Sequence, residues 1–313
     1  MNNPFELREE KENIVGRKEQ EETFQNLIKT ISGGRIIGLS ISGPRGYGKT
    51  TMLLNFESIA EKEGFKTIFV KIEKRDTDIT IINKLSKGTS SNIEEFIDKS
   101  NKNQFGTLIL LDDLDKSSEF EKIVLDIEKL INNNKGKIGF VISSTLGIRS
   151  PFLRSQLNPF DVHAAEELVE KALKEAQIKM GEECLKTILN ESGGNPKIFK
   201  IICWHLYNNR REKERIISKG NYLVLENTIR KNLEHDWFGE LYSQLPNEER
   251  KILKSLAKKE MNTFEIAKDI GKNSGPTNTL ILRLLNRGQI IRIKRGVYRI
   301  IAPLYGKYIS EQK

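Results

Sequence analysis

The sequence predicts an α/β fold: a parallel sheet with helices on both faces, then a helical block, then a basic module of helices closed by a β-hairpin. Three observations predict it. Short apolar runs alternate with helical stretches over the first 150 residues, the pattern of successive strand–helix–strand units. The strand signals stop near Pro151, and helical periodicity takes over. Near the end, Ile291 and Ile293 alternate with Arg292 and Lys294, the period of a half-exposed strand. A chain of 313 residues accommodates two or three domains, and the changes of pattern place them at 1–155, 156–244 and 245–313.

In chain order, Arg35–Ser42 reads as a buried strand that stops at Gly43, and Lys49–Lys62 as a helix. Thr67–Lys71, rich in β-branched and aromatic residues, is a second strand. A short helix is expected over Ile93–Lys99, a third strand over Leu108–Leu111 ending in Asp112-Asp113, and a helix over Ser117–Ile131. The cluster Asn132–Gly136 is a turn, and Ile138–Ser143 is a fourth strand. Helices are then expected over Ala164–Ala176, Cys184–Glu191 and Pro196–Asn208, with a longer one reaching about Gln244.

Composition excludes several classes. Hydrophobic residues make up 37% and charged residues 30%, a balance of folded rather than disordered chains. The longest apolar runs are a few residues, whereas a membrane span needs roughly 20, so no span is expected. The polar, acidic start lacks the basic segment and apolar run of a secretory signal. Cys184 and Cys203 lack paired spacing, and His163, His205 and His235 lack partners at ligand spacing. Neither a disulfide framework nor a zinc site is expected, and the expected location is cytoplasmic.

Charge is distributed unevenly. The chain carries 52 basic and 43 acidic residues, a net +9, and Leu245–Lys313 alone holds 15 basic and 6 acidic. The first 244 residues therefore balance, and the whole excess lies in the last fifth, which points to an anionic partner for that segment.

Gly43-Pro44-Arg45-Gly46-Tyr47-Gly48-Lys49-Thr50 matches G-x-x-x-x-G-K-[ST] at every fixed position. Glycines let successive backbone N–H groups turn inward around an anion, and the following helix, opening with Lys49, Thr50 and Thr51, adds the positive end of its dipole. Lys49 supplies a point charge for the β- and γ-phosphates, and the Thr50 hydroxyl a ligand for Mg²⁺. The strand before and the helix after complete the context of a P-loop NTPase, with ATP and Mg²⁺ as the expected ligands. Asp112 ends the third strand, at the sheet edge where ligands bind in open α/β folds, and is the expected Mg²⁺ carboxylate. Asp113 beside it would orient or deprotonate the attacking water. Ser143, ending the fourth strand, either senses the γ-phosphate and positions water or serves turn chemistry. Asp115 reads as a cap or turn residue.

In the last segment, Pro246–Lys258, Phe264–Ile270 and Thr277–Arg287 read as helices, with Leu280, Leu284 and Leu285 inward, and 289–301 as a hairpin turning at Arg295-Gly296. Three helices and a basic hairpin resemble a winged helix-turn-helix. In that fold the third helix enters the DNA major groove. Its expected exposed residues are Thr277, Asn278, Ile281 and Arg283, while Arg292, Lys294, Arg295 and Arg299 would meet phosphates. The open alternative is a module that docks protein.

These residues together resemble an archaeal-type member of the AAA+/STAND group of P-loop ATPases ending in a winged helix, and are similar to archaeal origin-recognition ATPases. Besides the loop and the acidic strand, Asn3-Pro4-Phe5 followed by Ile14-Val15-Gly16-Arg17-Lys18-Glu19 resembles the segment that precedes the core in that group. Gly193-Gly194-Asn195-Pro196 resembles the G-x-P motif of its helical lid. The resemblance implies that Ile14, Val15 and Gly16 contact adenine, that Pro196 lies near the base, and that the helical block is the lid. It departs from the family at Asp113, where most relatives carry Glu. Asp is one methylene shorter, so ATP binding is better supported than fast hydrolysis. Arg149 and Arg154 follow the fourth strand and read as solvated cations, and no arginine finger is legible. The sequence thus leaves three functions open: an ATPase switch acting on duplex DNA, a regulatory ATP-binding scaffold whose winged helix docks protein with slow or no turnover, and a loader that self-associates on DNA.

Overall fold

The computed structural model describes residues 3–6, 14–90, 92, 95–97, 104–133, 135–149 and 151–312. By internal contacts the chain forms two compact units, one of Glu9–Gly43 and Gly48–Leu157, the other of Met1–Arg8, Pro44–Tyr47 and Asn158–Lys313.

The first unit contains α1 (Lys18–Ser32), β1 (Ile36–Ser42), α2 (Lys49–Lys62), β2 (Lys66–Lys71), α3 (Asp78–Ser86), β3 (Thr107–Asp112), α4 (Phe120–Asn133), β4 (Ile138–Ser144) and β5 (Leu153–Gln156). The strands form one parallel sheet in the order β2-β3-β4-β1-β5. Every residue of β3 and β4 is buried. That explains their unbroken apolar runs, because a parallel sheet covered on both faces has no solvent side to require alternation. Ile36, Ile109, Leu111, Ile138, Phe140 and Ile142 share one core cluster with Ile81 and Leu85 of α3 and Ile123 and Ile127 of α4. On α1, Phe24 stacks on Phe56 of α2 at 4.0 Å between ring centroids. Of the short helix expected over Ile93–Lys99, residues 95–97 are helical, and the rest of that stretch lies outside the described residues.

The sheet corrects one expectation. Strands were to stop near Pro151, yet β5 pairs with β1 from Leu39↔Leu153 to Ser42↔Gln156. Only Ser155 of its four residues is buried, so this edge strand carries no apolar run to betray it. Its preceding residue, Phe152, closes over β1: a Cβ on Gly38 would lie 2.3 Å from the Phe152 ring.

The second unit contains α5 (Val162–Leu173), β6 (Lys179–Met180), α6 (Glu182–Glu191), α7 (Pro196–Asn208), β7 (Ile216–Ile217) and α8 (Lys219–Leu233). It continues through a π-helical turn over Glu234–Phe238 into α9 (Gly239–Ser243). The helix expected to run to about Gln244 is therefore interrupted. Then come α10 (Asn247–Lys258), β8 (Met261–Asn262), α11 (Thr263–Asp269), α12 (Ser274–Asn286), β9 (Ile290–Lys294), β10 (Val297–Ile300) and α13 (Pro303–Glu311). The three strands form an antiparallel sheet in the order β8-β10-β9. Three helices with a hairpin closing on a short strand have the connectivity of a winged helix-turn-helix, and α13 is an addition the sequence pattern did not announce. Glu249, fully buried, is held by Arg287 at 2.7 Å, and the Tyr305 hydroxyl donates to Gln289 at 2.7 Å. Helix α12 begins at Ser274, a turn earlier than expected, because Pro276 falls within its first turn, where proline lacks no hydrogen bond the helix needs.

Gly38→Ala should destabilise the protein by about 1–3 kcal/mol, the range for an added methyl in a packed core, because the methyl would meet both the Phe152 ring and the Ile131 side chain. A lower denaturation midpoint with an unchanged denaturant slope checks this.

Candidate functional site

Strand β1 ends at Ser42, and the turn that follows has Gly46 and Gly48 at φ +87° and +89°, a conformation that costs other residues energy. Gly48 is the N-cap of α2, and no side chain caps that helix. Its first N–H groups remain for an anion, reinforced by the helix dipole. The Lys49 ammonium donates to the Gly43 carbonyl at 2.9 Å. Burial holds the Lys49 pKa below the ordinary lysine value, against the opposing pull of Asp113, Asp115 and Asp112.

Asp112 is fully buried at the carboxyl end of β3. Its Oδ2 accepts from Thr50 Oγ1 at 2.8 Å and its Oδ1 from Ser143 Oγ at 2.6 Å. The sheet register produces the second contact: Leu111 pairs with Ile142, so the next residues, Asp112 and Ser143, fall side by side on neighbouring strands. Ser143 Oγ in turn accepts from the Asp113 backbone N–H at 2.7 Å. Burial, then the adjacent charge of Asp113, pushes the Asp112 pKa above the ordinary carboxylate value, opposed by the bonds from Ser143 and Thr50. Asp113 stands at φ +57°, left-handed backbone uncommon for any residue but glycine. Its carboxylate pairs with Lys116 at 2.6 Å, and Asp115 accepts from the Thr145 N–H at 2.8 Å.

A threonine hydroxyl and a carboxylate oxygen 2.8 Å apart are the hard oxygen donors Mg²⁺ prefers. Among the described residues no group of three or more His, Cys, Asp or Glu could hold a metal. That suits Mg²⁺, which takes one or two protein ligands and completes its shell with phosphates and water.

Other expected residues are placed as follows. Val15 is buried, Ile14 half-buried, and Gly16 exposed at φ +67°. Thr51 is half-buried on α2, and Arg149 and Arg154 are exposed. Pro196 is buried at the first position of α7. Within the second unit, the loop residues Pro44–Tyr47 meet the start of α7. Asn195 Nδ2 donates to the Arg45 carbonyl at 3.0 Å and the Lys197 N–H to the Gly46 carbonyl at 3.1 Å. A Cβ on Gly46 would lie 2.7 Å from Asn195 Oδ1. Asn195 also caps α7 through Lys197 and Ile198. Sequence reasoning singled out Pro196 and passed over Asn195 and Lys197; asparagine before proline is an N-cap signal that would have found the first. The Lys197 ammonium lies 4.8 Å from the Trp237 ring centroid, its pKa lowered by burial first and by Arg45 second.

On the winged helix, Asn278, Arg283, Arg292, Lys294 and Arg295 are exposed. Three expectations need correction. Thr277 and Ile281 are buried, at 0% and 1% exposure, because with Leu284 they form one stripe at i, i+4, i+7 spacing that packs inward. Arg299 leaves the wing, and its guanidinium reaches the Gly193 carbonyl at 3.4 Å. Leu280 and Leu285 are only half-buried, while Leu284 is fully buried.

No protein-family model matches the chain. A search of curated sequences finds the chromosomal replication initiator protein DnaA of Mesoplasma florum, 28% identical over 155 residues, 45% of this chain and 34% of that one. The matched part thus spans about a third of the relative's length. Among solved structures, the Walker-type ATPase PABY2304 of Pyrococcus abyssi superposes with a TM-score of 0.73 at 14% identity, covering 98% of this chain and 99% of that one. Drosophila ORC bound to DNA superposes at 0.56 with 15% identity, covering 99% and 90%. The chain therefore has, over nearly its whole length, the fold of a Walker-type P-loop ATPase.

Asp112→Asn should stabilise the nucleotide-free protein at pH 7.5. A carboxyl whose folded pKa is raised contributes stability below its unfolded value and loses it as pH rises through the folded value. Removing the charge should lift Tm at pH 7.5, with the gain shrinking towards pH 4. Thermal melts across that range check the sign.

Proposed function

We propose that the chain is a Mg²⁺-dependent ATPase switch coupled to duplex DNA through its winged helix. One observation carries the nucleotide part: Thr50 and Asp112 lie 2.8 Å apart directly after a glycine turn whose helix start is uncapped. The likeness to a Walker-type ATPase supports it. Mg²⁺, held by Thr50 and Asp112, would neutralise charge developing on the phosphates. Lys49 and the amides at the start of α2 bind and orient the triphosphate. Asp113 receives a proton from the attacking water or fixes its direction. Ser143 holds Asp112 and the Asp113 backbone in register.

The DNA part rests on Arg283, Arg292, Lys294 and Arg295, exposed on one module, and on the likeness to ORC solved on DNA. The regulatory scaffold is the second reading, and a specific observation favours it. Phe264, Leu282 and Ile293 are 70%, 48% and 44% exposed on the same module, apolar area that suits a protein partner. The Asp113–Lys116 pair also engages the carboxylate that turnover needs.

Lys49→Ala should weaken ATP binding at least tenfold, since a charged hydrogen bond contributes about 1.5–3 kcal/mol; titration calorimetry with Mg²⁺ reads it, and wild-type affinity would falsify the site. Asp113→Asn should leave ATP affinity within about twofold and lower kcat by about 10² or more. Duplex affinity should fall roughly a hundredfold between 50 and 200 mM salt if four phosphates are met, and Arg292→Ala/Lys294→Ala/Arg295→Ala should flatten that slope by about 3. Absence of duplex binding at 50 mM salt selects the scaffold.

A further inference from the structure

The second unit carries an open cleft of about 1090 Å³, as large as the pockets that hold drug-sized ligands become. It belongs neither to the phosphate loop nor to the exposed face of α12. Its walls come from the loop before α5, the end of α6, the α10–β8 connection, the end of β10 and α13. Its apolar lining includes Phe160, Leu189 and Pro303, half-buried, over Leu256, Ile300 and Ala302, which are buried. Two left-handed glycines shape it: a Cβ on Gly193 would lie 2.6 Å from the Ile301 carbonyl, and one on Gly194 would lie 2.7 Å from that of Phe160.

The charges around this floor divide into two sets. Arg230 is paired with Glu311, Lys186 with Glu182, and Lys307 with Glu191 and Glu226. Lys258 and Lys259 are exposed and have no carboxylate partner among the described residues. Arg299 makes two long bonds, at 3.4 Å, to the carbonyls of Gly193 and Ile300. Six cations line the cleft with Glu260 and Glu311; three of them are paired, and Lys258, Lys259 and Arg299 have no ion pair among the described residues. Duplex phosphates lie on a convex surface and do not reach an apolar floor. A chain alternating carboxylates with aliphatic side chains satisfies both rim and floor.

We infer that this cleft binds an acidic, extended peptide segment of a protein partner, its carboxylates on Lys258, Lys259 and Arg299 and its aliphatic side chains on Phe160, Leu189 and Pro303. The segment runs past Gly193-Gly194, so binding is read by the helical block and the winged helix together. The reading is independent of what the phosphate loop does.

Fluorescence polarisation with the full chain tests it, using a labelled octapeptide of alternating Glu and Leu. The peptide should bind in the micromolar range, more weakly at higher salt. Lys258→Glu/Lys259→Glu, both on the surface, should lose roughly tenfold in affinity through two reversed charges. Lys294→Glu/Arg295→Glu on the wing should leave peptide affinity within twofold, which separates the cleft from bulk charge. A Glu–Ser octapeptide should bind at least fivefold more weakly, for want of the floor. Failure of the Glu–Leu peptide to bind overturns the inference, as does equal loss in the wing variant or equal affinity for Glu–Ser. So would a Lys258→Glu/Lys259→Glu protein that loses duplex DNA while keeping peptide, since the cleft would then be part of a nucleic-acid face.

Discussion

A carboxylate fully removed from water needs hydrogen bonds on both oxygens, and Asp112 obtains them from two different elements. Thr50 begins α2, and Ser143 ends β4. The same serine oxygen receives the Asp113 N–H, so one buried group fixes the helix start, the strand end and the backbone of the next acid. The arrangement is costly without a cation, because burial and the neighbouring charge both disfavour the ionised form. Structural stability alone would be better served by a neutral residue there, and a buried carboxylate held at such a cost is the mark of a functional position.

What the sequence disclosed follows from how local each constraint is. The phosphate loop was legible residue by residue, because the chemistry of an anion nest demands glycine, lysine and hydroxyl at fixed offsets, and Lys49–Lys62 and Pro196–Asn208 came out at their true bounds. Asp112 was legible as the end of an apolar run. Its bond to Ser143 was not, since that depends on the β3–β4 register, which no local pattern carries. Strand β5 was illegible for the opposite reason: a four-residue edge strand with one buried side chain has no period to detect.

The winged helix shows how a small error in helical phase reverses a face. Centring the inward face of α12 on Leu280, Leu284 and Leu285 left Thr277 and Ile281 outward. The packed face is instead Thr277, Ile281 and Leu284, one buried stripe at helical spacing. Thr277 then donates to the Asn273 carbonyl at 2.8 Å rather than facing solvent. The exposed side keeps Asn278 and Arg283, and with them Leu282, a mixture that a charge count could not foresee.

The excess of +9 over the last 69 residues is likewise smaller at any one surface than its total implies. Arg287 is committed to buried Glu249, Lys251 and Lys272 to Glu248, and Lys307 to Glu191 and Glu226. Arg283, Arg292, Lys294 and Arg295 remain on the α12 and hairpin side, while Lys258, Lys259 and Arg299 line the cleft. Two separate positive surfaces follow, and their shapes differ. One is a hairpin and a helix that project, suited to a groove or a phosphate backbone. The other is a concavity with an apolar floor, suited to a chain that brings carboxylates and aliphatic groups together.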